Sequence, residues 1–278
     1  MPRTHEPAAF GPLLPVPFMP GHVSTQGERV AFRALAGAEW DRHGTAVSRT
    51  LTRLPALRGQ EQEAVRADLI ALHLYLHTPE GPLSPEVLAR GLRDGDRRLL
   101  PYAACVTSGL RRMPSYRGLA LRGAGDAHGP DADVLEPGAL LRDPAPVCAL
   151  PVGADVPTPG GARYAVWSVT ARRVRQLADR PGSDPARHEV VLPPGTLLRV
   201  LDVRDEGGSP LILLREVPLT RPDAPARHGG TELDAEDLAA LARLDEALRE
   251  RPPAPGPPVW PWPCEGPLRR AMARTPSD

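Results

Sequence analysis

The stretch His188-Glu-Val-Val-Leu-Pro-Pro-Gly-Thr196 places one carboxylate directly before a β-branched apolar run and a tight turn. Such a run, bounded by turn-forming residues, predicts a short strand over 189–192. Two further strand-like runs follow the turn, at 196–203 and 210–217. The sequence therefore predicts that Glu189 begins the first of three consecutive strands.

Three more strand-like runs precede this stretch, and two of them carry polar groups. The sequence Tyr-Arg-Gly occupies 116–118 in the run 115–121, and Trp-Ser-Val-Thr occupies 167–170 at the end of the run that starts at 162. The third run, 147–150, is apolar. We expect the polar groups of the first two runs and Glu189 to lie on neighbouring strands and to converge on one cleft.

The segment 45–112 has a helical pattern. Apolar residues recur every three or four positions over 61–77, and Ser84 before Pro85 is a capped helix start. A third helix is predicted over 97–112, and a short one over 170–178. These apolar stripes are too wide to face water, so we expect the helices to pack on the sheet.

Helices followed by mostly antiparallel strands predict an α+β fold, with a split antiparallel sheet core and an N-terminal helical layer. Residues 1–44 are expected to form a Pro/Gly-rich arm or linker, 45–220 the helical layer and β core, and 221–278 an amphipathic helix and a Pro-rich tail. Because no strand–Gly-x-Gly-x-x-Gly–helix unit occurs, a Rossmann site is not expected.

Composition narrows the possible partners. Lys+Arg and Asp+Glu are both 34, so no net charge attracts nucleic acid or an anionic membrane. The chain contains no lysine and no asparagine, a bias that a high-GC bacterial genome explains. Its three cysteines lack metal-site spacing, so neither a metal nor a disulfide framework is expected. Neither a membrane-spanning run nor a signal peptide is recognisable, which predicts a cytoplasmic protein.

The polar groups suit the cleavage of the nicotinamide–ribose bond of NAD+. The planar fork of Arg117 matches phosphate oxygens, and the hydroxyls of Ser168 and Thr170 suit a ribose. As the bond breaks, positive charge grows on the ribose, and the carboxylate of Glu189 would stabilise that charge most strongly in the transition state. Trp167, or Tyr164 on the same predicted strand, is a candidate to stack on the nicotinamide.

Each group also has a purely structural interpretation. Arg117 is compatible with a surface residue at a strand end, and Thr170 with the cap of a following helix. Glu189 is compatible with a solvated strand residue opposite an arginine. A motif of this kind therefore needs its structural context before it indicates a function.

Residues 113–218 resemble the Arg–Ser–Glu class of mono-ADP-ribosyltransferases, of an actinobacterial type and with degenerate positions. The order aromatic-Arg-Gly, hydroxyl-bearing strand and Glu-Val-x-Leu-Pro-Pro-Gly-Thr is similar to that family, and the last motif is the most specific part. The resemblance implies an ADP-ribosyltransferase-like β core, NAD+ as the substrate, and a protein or small-molecule acceptor. It also implies cofactor contacts from Arg117 and Gly118, and from Trp167, Ser168 and Thr170.

Two departures from the family pattern concern the acceptor and the ribose. Arg187 stands where a Glu or Gln usually lies on the acceptor side, with His188 between it and Glu189. A cation there would repel an arginine acceptor, which leaves a changed acceptor, hydrolysis by water, or no catalysis. Ala171 replaces a third hydroxyl of the second motif, which leaves fewer groups to hold the ribose.

Two hypotheses therefore stand. The first is an NAD+-dependent mono-ADP-ribosyltransferase or NAD+ glycohydrolase, in which Arg117, Ser168 and Glu189 act together. The second is a catalytically inactive module of the same fold that serves as a protein-interaction scaffold, with Pro-rich flanks as docking segments. Only the first requires NAD+ binding.

Overall fold

The computed structural model describes residues 16, 18, 21–53, 62–124, 135–153, 159–178, 188–206, 209–218, 232–251 and 260–268. In the described part of the chain five helices come first: α1 (Gln26–Ala36), α2 (Ala38–Arg53), α3 (Gln62–His77), α4 (Pro85–Arg93) and α5 (Leu100–Arg111). A 3₁₀ turn over Arg97–Leu99 leads into α5. The helices predicted over 61–77, after Ser84 and over 97–112 are therefore confirmed.

The predicted arm over residues 1–44 is wrong in its second half, because α1 and the start of α2 lie there. The hydroxyl of Thr25 accepts from the Glu28 amide and the Glu28 carboxylate accepts from the Thr25 amide, a capping box that fixes the start of α1. Phe32 of α1 and Trp40 of α2 are buried with their rings 5.7 Å apart. An arm was predicted because the Pro/Gly-rich composition of residues 1–44 outweighed the capping residues and the apolar spacing of α1.

Helices α3 and α5 form the centre of the helical layer and are buried along most of their lengths. Their core continues into the sheet, since Cys148, Leu150 and Val191 belong to the same buried cluster. The hydroxyl of Tyr75 in α3 also donates to the Pro146 carbonyl at 2.8 Å. The predicted packing of the helices on the sheet is therefore confirmed.

Eight strands follow among the described residues, interrupted by the short helix α6 (Arg175–Ala178): β1 (Gly118–Gly123), β2 (Leu140–Arg142), β3 (Val147–Pro151), β4 (Ala162–Ser168), β5 (Arg172–Arg173), β6 (Val190–Leu192), β7 (Leu197–Glu206) and β8 (Ser209–Val217). Their order is β2-β7-β8-β4-β1-β3-β6-β5, and β4 pairs with β8 in parallel, so the sheet is mixed and not wholly antiparallel. The predicted helix over 170–178 begins only at Arg175, because Arg172 and Arg173 pair with β6.

The sheet bends so that distant strands share one core. Leu141 of β2 and Leu192 of β6 lie far apart in the strand order, yet both belong to a buried cluster with Tyr164 and Val200. The helical layer covers the outer side of β3 and β6. The α+β class predicted from the sequence is confirmed, with the helical layer on one side of this bent sheet.

The second half of the sheet is covered by helix α7 (Ala235–Arg249). Two buried arginines of the sheet hold this helix at its first turn: Arg215 Nε donates to Asp237, and Arg199 forms an ion pair with the same carboxylate at 3.1 Å. Leu244 of α7 is buried. Leu238 is 55% exposed, because the contact face of the helix runs through Ala240 and Leu244.

Residues 260–268 of the predicted tail lie against β1. Arg122 donates to the carbonyls of Cys148 at 2.7 Å and of Pro263 and Gly266 at 2.9 Å. Gly123 is a close-approach position, since a Cβ there would lie 2.5 Å from the Trp260 ring. Residues 260–268 are therefore packed against the sheet as part of the fold.

Candidate functional site

Arg117 lies immediately before β1, at the point where the chain leaves α5 and enters the sheet. Its side chain is exposed and makes no hydrogen bond or ion pair with the residues that the structure describes. Gly118 follows with φ +142°, a conformation that favours glycine. Arg117 is thus a cation held at a defined main-chain position with its guanidinium available to a ligand.

The residue before Arg117 anchors this main-chain position. Tyr116 is buried, and its hydroxyl donates to the Leu119 carbonyl. Burial raises the pKa of Tyr116 to about 12. The Arg173 guanidinium lies 4.7 Å from the centre of its ring. Tyr116 therefore stays protonated at physiological pH and fixes the backbone on which Arg117 stands.

Glu189 lies directly before β6 and is 1% exposed. Its carbonyl accepts from the Val174 amide at 3.4 Å, which ties it to the chain between β5 and α6. Strand β3 separates β6 from β1, so the expectation that Glu189 lies on a strand next to those of Arg117 and Ser168 is wrong. Arg117 and Ser168 do lie on neighbouring strands, because β1 pairs with β4 and Gly118 is opposite Ser168.

A different element connects Arg117 with Glu189. Strand β5 pairs with β6 on one side, Arg172 being opposite Val191, and with the residues before β1 on the other, where Ser115 forms an antiparallel bridge to Arg172. Opposite residues, and residues two positions apart on a strand, point to the same face. By this alternation Glu189 lies on the same face of the ribbon as Val191, Arg172 and Ser115. Arg117 follows Ser115 by two residues at the exposed end of the ribbon, and Glu189 lies at the buried end.

Ser168 and Thr170 lie on the turn 168–171 that joins β4 to β5, here called the β4–β5 turn. Both hydroxyls donate to the buried carboxylate of Glu216, Ser168 at 2.9 Å. The amides of Val169 and Thr170 donate to the same carboxylate at 2.7 and 2.9 Å. Ser168 is 0% exposed, so in this structure its hydroxyl stabilises the β4–β5 turn.

Sequence reasoning missed Glu216. Its only signal is a charged pair, Arg215-Glu216, near the end of the apolar run 211–217. A charge inside such a run is rarely buried without partners, which marks it as a residue with a defined role. Its partners were not predictable, because they lie 46 to 48 positions away in the sequence.

The remaining candidate site residues differ in burial and in the groups that they contact. Trp167 is half-buried on the side of α7, where the Arg243 guanidinium lies 5.7 Å from its ring centre. Tyr164 is buried in the sheet core, and its hydroxyl accepts from the Leu268 amide. His188 is half-buried beside Glu189, whereas Arg187 lies outside the described residues.

No side chain on β3, the strand between β1 and β6, is a hydroxyl, an amide or a charged group. The strand reads Val-Cys-Ala-Leu-Pro, with Cys148 opposite Val191 and Ala149 opposite Val190. Cys148 is buried, as are Cys105 and Cys264, and burial raises the pKa of the Cys105 thiol. All three cysteines are therefore buried thiols of the core.

Within the described residues, no three His, Cys, Asp or Glu side chains are grouped as a metal ion would require. In the same part of the chain, no helix combines the length and the apolar character of a membrane span.

Comparisons with known proteins identify the fold. No protein-family model matches the sequence, and a comparison with curated proteins gave no match. Among solved structures, the type III effector XopAI from Xanthomonas axonopodis pv. citri superposes with a TM-score of 0.52 at 19% identity, over 70% of this chain and 84% of XopAI. Similarity at this level of identity shows a shared fold and nothing about activity.

Two further solved structures are similar with lower scores. Exoenzyme S from Pseudomonas aeruginosa, in complex with human 14-3-3 protein beta and bound to Carba-NAD, has a TM-score of 0.45 at 16% identity, over 70% of this chain and 91% of that one. Vis toxin, an ADP-ribosyltransferase from Vibrio splendidus, has a TM-score of 0.33 at 14% identity, over 69% and 82%.

Proposed function

We propose that this chain is an ADP-ribosyltransferase-fold enzyme that cleaves the nicotinamide–ribose bond of NAD+, as a mono-ADP-ribosyltransferase or an NAD+ glycohydrolase. The observation that carries the proposal is the main-chain connection of the segments that bear Arg117 and Glu189, which both pair with β5. The sequence motifs around both residues supply the reaction, since they resemble those of the Arg–Ser–Glu class. The fold shared with XopAI is compatible with this reaction and does not by itself imply it.

In this proposal Arg117 binds the pyrophosphate, and the main chain at Gly118 allows the phosphates to approach closely. Glu189 stabilises the positive charge that develops on the ribose as nicotinamide leaves. Its burial increases the strength of that interaction, because few waters screen the carboxylate. No metal takes part in these steps.

The hydroxyl motif has an indirect role in this proposal. Ser168 and Thr170 shape the ribose side of the cleft through the β4–β5 turn, because their hydroxyls are engaged by Glu216. Trp167 remains a candidate for contact with NAD+ only through its exposed edge. The motif resemblance assigns positions 187 and 188 to the acceptor, and a cation at position 187 would disfavour guanidino acceptors and favour water or an acceptor of another chemistry.

Nicotinamide release from NAD+ tests the proposal. Glu189→Gln should lower turnover by on the order of 10²-fold or more with little change in NAD+ affinity, since the lost charge acts mainly on the transition state. Arg117→Ala should weaken NAD+ binding, because a phosphate contact exists in the ground state too. Glu206→Gln and Arg111→Ala are matched controls on exposed residues and should behave as the native chain.

Arg187→Glu restores the charge that the family usually carries at that position. If the cleft is otherwise intact, transfer to agmatine, a guanidino acceptor, should increase over the native chain. A native chain that neither binds NAD+ nor releases nicotinamide, together with no gain in Arg187→Glu, would contradict the enzymatic proposal.

The alternative function is a catalytically inactive scaffold for a protein partner. Two observations favour it: β3 offers no polar side chain beside Glu189, and the hydroxyls of the β4–β5 turn are already occupied. The scaffold does not require NAD+ binding, whereas the enzyme does. Calorimetric titration of the native chain with NAD+ therefore separates the two functions before any variant is made.

A further inference from the structure

Among the acidic side chains in the described part of the sheet, the carboxylate of Glu216 accepts the most hydrogen bonds. It is 6% exposed and accepts from two hydroxyls and two consecutive amides, all on the β4–β5 turn. Among the described residues, no cation pairs with it. Its charge is stabilised by neutral donors, and those donors are the groups that set the path of the turn.

The β4–β5 turn is the point where the chain leaves one set of neighbours and joins another. Up to Ser168 the chain pairs with β1 and β8, and from Ala171 it pairs with the residues before β1 and with β6. The Tyr116 amide donates to the Ala171 carbonyl at 2.7 Å, and the Arg173 amide donates to the Pro114 carbonyl at 2.8 Å. One end of the turn thus fixes the main chain beside Arg117.

The other side of β5 fixes the main chain beside Glu189. Arg173 pairs with Val190, and the Val174 amide donates to the Glu189 carbonyl. The path from Arg117 to Glu189 therefore crosses a strand of only two residues, whose position depends on the turn before it. A displacement of the turn would move Arg117 and Glu189 relative to each other.

We infer that Glu216 is a positioning residue for the NAD+ site: its carboxylate fixes the β4–β5 turn, and the turn holds Arg117 and Glu189 in register across β5. The inference rests on the proposed function. It assigns Ser168 and Thr170 to Glu216 in place of direct ribose contacts. Glu216 itself is too enclosed by its four donors to contact substrate.

Glu216→Gln keeps the shape of the side chain and removes its charge. The amide has one acceptor oxygen, so part of the four-donor set loses its partner. Turnover of NAD+ should fall by about 10- to 100-fold, because small displacements of reacting groups have effects of that size. KM should change by less than about threefold, because the long side chain of Arg117 is able to follow the phosphate. Glu206→Gln is the matched control at an exposed site.

Amide hydrogen exchange provides a readout that does not depend on activity. In Glu216→Gln, the amides of Tyr116, Arg173 and Val174 should exchange at least about tenfold faster, while those within α3 and α5 keep their native rates. Equal acceleration in α3 and α5 would overturn the inference, since it would indicate a general stabilising role. Unchanged exchange at all three amides would overturn it as well.

Thr170 provides a second test that leaves the carboxylate in place. Thr170→Val removes one donor and should accelerate exchange of the same three amides by a smaller factor than Glu216→Gln does. Thr170→Ser keeps the hydroxyl and should show native exchange rates. A Thr170→Ser variant that behaves like Thr170→Val would contradict the role of the hydroxyl. If the native chain releases no nicotinamide while the exchange pattern follows expectation, the proposed function fails and the positioning by Glu216 stands.

Discussion

The helical layer and the sheet each contain a buried carboxylate, and the two carboxylates differ in the groups that donate to them. Asp68 of α3 accepts from the hydroxyls of Ser24 and Ser108 at 2.6 and 2.7 Å and forms an ion pair with Arg112 at 2.9 Å. Glu216 of β8 accepts from hydroxyls and main-chain amides of one turn. Asp68 joins side chains around α3 and α5, whereas Glu216 fixes a main-chain path.

The difference predicts where the loss of each acid is felt. Asp68 is paired with a cation, so its removal leaves an arginine that is 11% exposed without its main partner. Glu216 has no such partner, so its removal relaxes a turn and leaves no opposite charge unpaired. We expect Asp68 to determine global stability and Glu216 to determine local geometry.

Asp68→Ala should cause the largest change. Breaking a buried ion pair by removing one partner typically costs about 3–5 kcal/mol of unfolding free energy. Urea unfolding followed by circular dichroism measures that loss, and Glu80→Ala, at an exposed loop position, should stay within about 0.5 kcal/mol of the native chain. A loss below about 1 kcal/mol for Asp68→Ala would show that the helical layer does not depend on this network.

The comparison between Asp68 and Glu216 can be repeated by removing one serine hydroxyl that donates to each carboxylate. Ser108→Ala and Ser168→Ala each remove one buried donor to a carboxylate, which should cost about 1.5–3 kcal/mol of unfolding free energy. Only Ser168→Ala should also accelerate exchange of the Ala171 amide, which donates to the Ser168 hydroxyl at 3.1 Å. Exchange at Ala171 that changes equally in both variants would remove the distinction between the two regions.

The sequence predicted the elements whose signals are local. Ser84 before Pro85 marks the start of α4, the apolar spacing of 61–77 marks α3, and the strand runs around Arg117 and Glu189 lie where periodicity and turn formers indicated them. The helix α1 had a local signal as well, in its capping box, which the Pro/Gly-rich composition of the segment obscured.

Pairings between distant strands were not predictable from the sequence. A strand shows which residues alternate but not which strand lies beside it, and the register across a long connection decides which groups meet. Ser168 was expected to face a ribose, yet it meets a glutamate 48 positions later. The two-residue strand β5 is too short for periodicity to show, although it is the element that connects Arg117 with Glu189.

A pair of glycines gives the smallest and most specific test of the helical half. Alanine normally stabilises a helix relative to glycine by roughly 0.5–1 kcal/mol, and Gly27→Ala in α1 should show that gain, because no atom outside the local main chain of the helix lies within 4 Å of the added Cβ. At Gly109 in α5 the added Cβ would lie 2.6 Å from the Asp68 carbonyl oxygen. The clash should outweigh the helical gain and lower the unfolding free energy by about 1–3 kcal/mol.

The sign of the two changes tests how Asp68 is held in place. If α3 and α5 cross rigidly at Gly109, only Gly109→Ala destabilises the protein, and its effect should not be additive with that of Asp68→Ala, because a shift of the main chain at residue 68 also moves its carboxylate. If both alanines stabilise, the helices slide to accommodate the methyl group. In that case the hydrogen bonds and the ion pair alone, and not the close packing of α3 on α5, fix the buried carboxylate of the helical layer.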